Sequence, residues 1–365
     1  MKKLLTVICL ALCLCACAAP PPESLAADSA VELQYAEQFI IETRDDGCHL
    51  VTIAGSDRFL IVPEGQEPPA IGNGVIILQQ PVENIYLAAT SAMCLFDALD
   101  ALPSISMSGT KADGWTVENA RTAMERGDIV YAGKYSAPDY EMLLAQNCGL
   151  AIESTMITHA PEVKEKLEAL GIPVFVERSS YEPHPLGRTE WIKLYGLLTG
   201  KLAIAEQLFA EQAAYLDGIA HESTGQTAAF FYISSNGNAV VRKTGDYVTK
   251  MIELAGGQTA FPDTGGDENA TGTVNLNMEQ FYAAAKDADV LIYNSAIDGE
   301  LRTMSDLLGK SHLLAECAAV QTGNVWCTGK NMFQETTEFG MMMTELNRIF
   351  KGEADDSLQF FKRLR

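Results

Sequence analysis

The segment EWIKLYGLLTGKLAIAEQLFAEQAAYLDGI, residues 190–219, decides how this chain is organised. Its apolar residues fall at Trp191, Leu194, Tyr195, Leu198, Leu202, Ala205, Leu208, Phe209, Tyr215, Leu216 and Ile219. Steps of three and four are the helical period. Gly196 and Gly200 weaken the pattern, but no proline interrupts it. At 1.5 Å per residue, the spacing predicts one helix about 45 Å long. That exceeds the width of a small domain, so the helix is expected to join two bodies.

The flanking sequence has a different rhythm. Residues 75–78, 85–88, 129–131, 150–152 and 174–176 are short apolar runs that read as buried strands. Helix-like stretches lie between several of them, at 116–124, 139–146 and 161–170. Pro161 opens the last and Gly171 closes it. Beyond residue 225 the alternation resumes, with strands at 228–233, 290–293 and 325–326 and helices at 247–255 and 336–350. Strand and helix in alternation predict an α/β fold. The expected architecture is two Rossmann-like lobes with parallel sheets, joined by one long rigid helix. Ahead of them, residues 35–62 alternate apolar and polar around Asp46-Gly47, a leading hairpin.

The amino terminus gives an address. Lys2 and Lys3 precede an apolar run, residues 4–16, too short to span a bilayer comfortably as a helix. Leu14-Cys15-Ala16-Cys17 then resembles a bacterial lipobox, which nominates Cys17 for lipidation. An ordinary secretory signal is the alternative. Pro20, Pro21 and Pro22 lie in a polar stretch that reads as a tether. The expected division is a lipoprotein signal over 1–17, a flexible tether over 18–34 and a first lobe with its hairpin over 35–189. The connecting helix then takes 190–224 and the second lobe 225–365. The expected location is the outer face of the cytoplasmic membrane, held through lipid alone.

The 365 residues are 47% hydrophobic with a formal net charge of −22. Such a surface repels phosphate backbones and anionic headgroups, which argues against nucleic acid and against direct membrane contact. Cys48, Cys94, Cys148, Cys317 and Cys327 follow the lipobox without a CxxC pair. Isolated buried thiols are expected, though Cys317 and Cys327 are near enough in sequence to bridge.

Particular segments then add up to a family likeness. They are Gly133-Lys134-Tyr135 with Asp139-Tyr140-Glu141, and the run KLEALGIPV over 166–174. His184-Pro185-Leu186-Gly187-Arg188 with Trp191-Ile192-Lys193, and MIELAGG over 251–257, complete the set. In this order, from about residue 75 to 352, the chain resembles the substrate-binding lipoproteins of ABC importers for iron complexes and vitamin B12. The resemblance implies a class III, helical-backbone, metal-receptor-like binding protein, monomeric and not an enzyme. Its implied partners are an ABC permease with its ATPase subunits and a small-molecule metal complex: an iron chelate such as a siderophore, haem or a corrinoid. It also implies docking to the permease through one acidic residue per lobe, by motif position Glu141 and Glu279. Helix glutamates favoured by the dipole alone are the alternative.

Ligands of such folds bind at the carboxyl ends of the strands. That rule nominates Thr90, Ser91, Lys134, Tyr135, Arg178, Ser179 and Tyr181 in the first lobe. In the second it nominates Ser234, Ser235, Asn236, Asn294, Met332, Phe333 and Gln334, and Arg242 joins them for its charge. Aromatic faces suit a planar macrocycle, and Lys134, Arg178 or Arg242 suits an anionic chelate. No resident cofactor or protein-bound metal is expected, because the five histidines lack ligand-like spacing. His184 and Met332 are conceivable axial ligands to a macrocycle metal; a loop role for His184, in Pro-His-Pro, is the favoured reading. No G-x-S-x-G or H-E-x-x-H occurs, and Gly309-Lys310-Ser311 lacks the first glycine of a P-loop. The competing functional reading is a surface-anchored hydrolase with an unrecognised site between the lobes.

Overall fold

The computed structural model describes residues 29–72, 74–219, 223–264 and 271–365. The export signal, Cys17, the first part of the tether and most of the acidic stretch near residue 267 lie outside them. No helix among the described residues is long and apolar enough to cross a membrane.

The deciding segment forms two helices, Pro185–Leu198 and Leu202–Gly218, which corrects the expectation of one continuous rod. Gly200 adopts φ +72°, a conformation that glycine enters without a Cβ penalty, and the chain reverses there. The second helix folds back along the first. Gly196 leaves room for the close approach of Ala205, and the Lys193 ammonium lies 4.5 Å from the Phe209 ring centroid. The three-and-four spacing of apolar residues runs through the break, because both helices pack against apolar neighbours, so periodicity could not reveal the turn.

Pro185–Leu198 is buried along its whole length and belongs to the first lobe. Trp191 meets Phe39 edge-on at 4.9 Å, and Tyr195 lies 4.9 Å from Phe96. The crossing element is Leu202–Gly218, about 25 Å long. Its first half packs on the preceding helix. Farther along, the Gln212 side chain accepts from the Gly340 N–H at the head of Phe339–Phe350 in the second lobe.

The first-lobe sheet runs Val174–Glu177, Leu150–Ser154, Ile85–Leu87, Ile105–Ser108, Val130–Tyr131, all parallel. The shared direction puts all five carboxyl ends on one edge. In the second lobe, Thr227–Ile233, Val290–Tyr293 and Val325–Thr328 form a parallel centre. Antiparallel strands, Ala239–Arg242 with Thr273–Leu276 on one side and Phe361–Arg363 on the other, make this sheet mixed.

The leading hairpin is present: Phe39–Thr43 pairs antiparallel with His49–Ile53 through a turn with Gly47 at φ +80°. It belongs to a larger sheet. Asp57–Val62 continues it, and Ile76–Gln79 adds in parallel, so the run at 75–78 is not a first-lobe strand as expected. Residues 29–34, expected as tether, are also built in. Ser29–Ala30 pairs with Phe39–Thr43, and the Glu32 carbonyl accepts from Lys193 Nζ at 2.8 Å. Four of the five described cysteines are buried, and Cys317 and Cys327 do not bridge.

Candidate ligand-binding site

The carboxyl edges of the two central sheets meet at the lobe boundary. The turn Thr90–Ala92, after strand Ile85–Leu87, packs against Met332–Gln334, which follows Val325–Thr328. Gln334 ties the lobes directly. Its Oε1 accepts from the Thr116 N–H and hydroxyl, each at 2.8 Å, and its Nε2 donates to the Gly114 carbonyl at 2.9 Å. Thr189 adds a second tie, its hydroxyl donating to the Thr336 carbonyl at 2.7 Å.

Several nominated residues converge in the first lobe. Ser91 Oγ donates to Glu177 Oε2 at 3.0 Å, and the Ser179 N–H donates to Glu177 Oε1 at 2.9 Å. Glu177 is therefore the buried acceptor that organises both loops, and sequence reasoning missed it. The available signal was a carboxylate closing the apolar run Val-Phe-Val-Glu, immediately before Arg178. Arg178 donates to Gln38 at 3.4 Å and lies 4.8 Å from the ring of exposed Tyr181. Exposed Lys134 and half-buried Tyr135 stand elsewhere, in the small hairpin Gly133–Lys134 with Ala137–Pro138. That hairpin follows the strand at one edge of the sheet, whereas Arg178 follows the strand at the other.

In the second lobe, Ser234, Ser235 and Asn236 form the turn of a hairpin. Ser234 N–H donates to the Asn238 carbonyl at 2.9 Å, and exposed Ser235 and Asn236 make the tip. Asn294 is 1% exposed, and its side-chain Oδ1 accepts from the Ala296 N–H, capping a short helix. Met332 is buried, and half-buried Phe333 packs on the core beneath the Arg242 guanidinium at 5.1 Å. His184 caps Pro185–Leu198, its Nδ1 accepting from the Leu186 N–H at 3.2 Å while its ring stacks on Tyr35 at 4.2 Å. Burial first, then Lys250 nearby, push its pKa down to about 4, so the ring is neutral at pH 7. Among the described residues no cluster of three or more His, Cys, Asp or Glu could hold a metal ion.

Glu141 and Glu279 occupy matched positions. Each is the exposed second residue of a helix, Tyr140–Ala145 and Met278–Ala285. Asp139 caps the first by accepting from the Met142 N–H, and Asn277 caps the second by accepting from the Gln280 N–H. Neither glutamate has an ion-pair partner among the described residues.

Residues 91–332 match the sequence profile of the periplasmic binding protein family. The chain belongs to that family. It is 25% identical over 350 residues to an uncharacterized lipoprotein of Methanocaldococcus jannaschii, covering 91% of this chain and 87% of the relative. It is 23% identical over 284 residues to a cobalamin-binding protein of Halobacterium salinarum, covering 76% and 71% respectively. The periplasmic heme-binding protein HutB of Vibrio cholerae superposes with a TM-score of 0.58 at 16% identity, over 72% of this chain and 97% of HutB. These likenesses establish the fold as the class III periplasmic-binding arrangement of two α/β lobes.

Proposed function

We propose that this protein is the extracytoplasmic capture component of an ABC importer. It takes an iron chelate, haem or a corrinoid between its lobes and delivers it to the permease, while ATP is hydrolysed on another subunit. The observation that carries the reading is the facing of the two strand-end edges at one boundary, Thr90–Ala92 against Met332–Gln334, in a chain of this family. Serine, arginine and tyrosine side chains gather at that boundary, which suits a ligand with both polar and planar surface. The names of the Halobacterium and Vibrio relatives support a metallo-macrocycle.

Lipidation at Cys17 holds the protein at the outer face of the membrane, in keeping with the relative named a lipoprotein. Stable anchoring needs two or more acyl chains or a second attachment. Tethering keeps the loaded protein at high effective concentration near its permease. Glu141 and Glu279 dock to that permease: two exposed carboxylates on separate lobes give avidity that neither salt bridge supplies alone. Absorbance titration with haem, cobalamin and ferric siderophores tests the capture role. A saturable spectral change with one of them supports it, and none with any contradicts it.

A further inference from the structure

Gln334 commits both ends of its side-chain amide to the opposite lobe. Its Oε1 accepts from the N–H and the hydroxyl of Thr116, and its Nε2 donates to the Gly114 carbonyl. These partners fix the orientation of the amide, because the reverse placement would set an NH2 against the Thr116 N–H and an oxygen against a carbonyl. Thr189 and Gln212 also tie the lobes, but from the two helices through which the chain passes between them. Gln334 instead reaches from one strand-end loop to another.

Both loops are braced from behind. On the first-lobe side, Ser108 closes the strand Ile105–Ser108. Its hydroxyl donates to the Thr110 carbonyl at 2.7 Å and accepts from the Thr110 N–H at 3.0 Å and the buried Trp115 indole at 3.2 Å. The Gly109 N–H donates to the Leu87 carbonyl at 2.8 Å, and a Cβ at Gly109 would lie 2.9 Å from Ala88 Cα. On the second-lobe side, Met332 is buried and the Gln334 N–H donates to the Asn331 carbonyl at 2.7 Å. The Asn331 side chain in turn donates to Glu335 at 3.3 Å. Bracing of this kind keeps each loop with its own lobe, so parting the lobes breaks the three bonds between them.

Closure also works against charge. The Glu335 carboxyl is held above the usual carboxylate range by burial first, then by Glu338 and Asp97. Asp97 lies on the helix Met93–Ala98 of the first lobe, so like charges oppose each other across the boundary that Gln334 closes.

We infer that Gln334 is a clasp that holds the strand-end edges shut, and that a captured ligand displaces it to enter between Thr90–Ala92 and Met332–Gln334. The inference rests on the capture role and adds a gate to it. Only the unclasped fraction is then open to ligand, and apparent affinity is reduced by that fraction. A net hydrogen bond is worth about two- to tenfold in such an equilibrium, so losing all three raises the open fraction by about tenfold or more.

Two measurements test it, the first without ligand. Spin labels are placed at exposed Glu165 on the first lobe and exposed Ala283 on the second. Unliganded Gln334→Ala is expected to gain a longer interlobe distance than wild type shows, and Thr116→Val, which removes one bond of the three, to gain less of it. Identical distance distributions in all three proteins overturn the clasp. In stopped-flow absorbance with hemin or cyanocobalamin, Gln334→Ala is expected to associate about tenfold faster than wild type, with dissociation within about twofold. Unchanged association overturns the gate. So does faster dissociation with weaker affinity, because the amide would then be a bond made around bound ligand. Binding of neither compound by wild type or variant counts against capture of a metallo-macrocycle, while the distance measurement still decides the clasp.

Discussion

Glu190 holds the backbone of Tyr35: its Oε2 accepts the Tyr35 N–H at 2.8 Å across 155 residues of sequence. The same carboxylate accepts from the N–H groups of Gln34 and Ala36, and Lys193 Nζ pairs with its other oxygen at 2.7 Å. Glu182 repeats the device one loop away, accepting from Glu37, Gln38 and Trp191. Two buried carboxylates thus staple the leading sheet to the first hairpin helix. Removing Glu190 leaves Lys193 buried and three amides unpaired, which costs about 3–5 kcal/mol. Glu190→Ala is expected to lower urea stability by that amount and to speed amide exchange at residues 34–36.

The turn at Gly200 gives a test with opposite signs. In an exposed continuous helix, Gly196→Ala would stabilise by up to about 1 kcal/mol. In the folded-back pair, an added Cβ would lie 2.5 Å from the Ala205 Cβ and 3.0 Å from the Lys201 carbonyl oxygen. Overpacking of this kind costs about 1–3 kcal/mol. Gly196→Ala is expected to lower the denaturation midpoint; a raised midpoint would favour a continuous helix.

Buried Glu153 sets a pH dependence. Its side chain is 0% exposed, both oxygens lack partners, and burial pushes its pKa up from 4.5 to about 8. The folded protein therefore keeps it protonated through a range where the unfolded chain releases the proton. The unfolded state binds fewer protons there, so stability falls as pH rises from about 4.5 to about 8, by at most about 1.4 kcal/mol per unit. Outside that window the contribution is flat. Glu153→Gln is expected to remove this slope in denaturation curves measured across the window, while leaving the stability at pH 4 nearly unchanged.

Much of this was legible in the sequence. The strands at 85–87, 150–154, 174–177, 227–233 and 290–293 are dense apolar runs, and the helix at 161–169 carries its proline and glycine punctuation. The matched glutamates were visible because helix caps are local signals. The reversal at Gly200 was hidden, because one glycine is tolerated in a helix and the period survives on both sides. The strand Ile105–Ser108 was hidden too, since its serines dilute the apolar signal. At the site, Glu177 and Gln334 owe their roles to contacts across lobes or loops, which no local pattern encodes. Conversely, Asn294 follows a strand as the nominated residues do, yet its side chain is spent capping a helix.

Glu141 and Glu279 make a prediction about delivery alone. Both are exposed and lie in first helical turns, so truncation should disturb neither fold nor cleft. The double variant Glu141→Ala, Glu279→Ala is expected to reduce ligand uptake in cells by about tenfold or more, because avidity depends on both contacts. Ligand affinity of the isolated protein should stay within about twofold of wild type. Uptake at the wild-type rate would remove the docking assignment.

The capture of a metal complex between the lobes is tested most directly by native mass spectrometry of the whole protein after incubation with haem, cobalamin or a ferric siderophore. The account predicts a one-to-one adduct with one of these, persisting when ligand and protein are equimolar in the low micromolar range. Only unliganded protein with every compound, even at high micromolar excess, would contradict it.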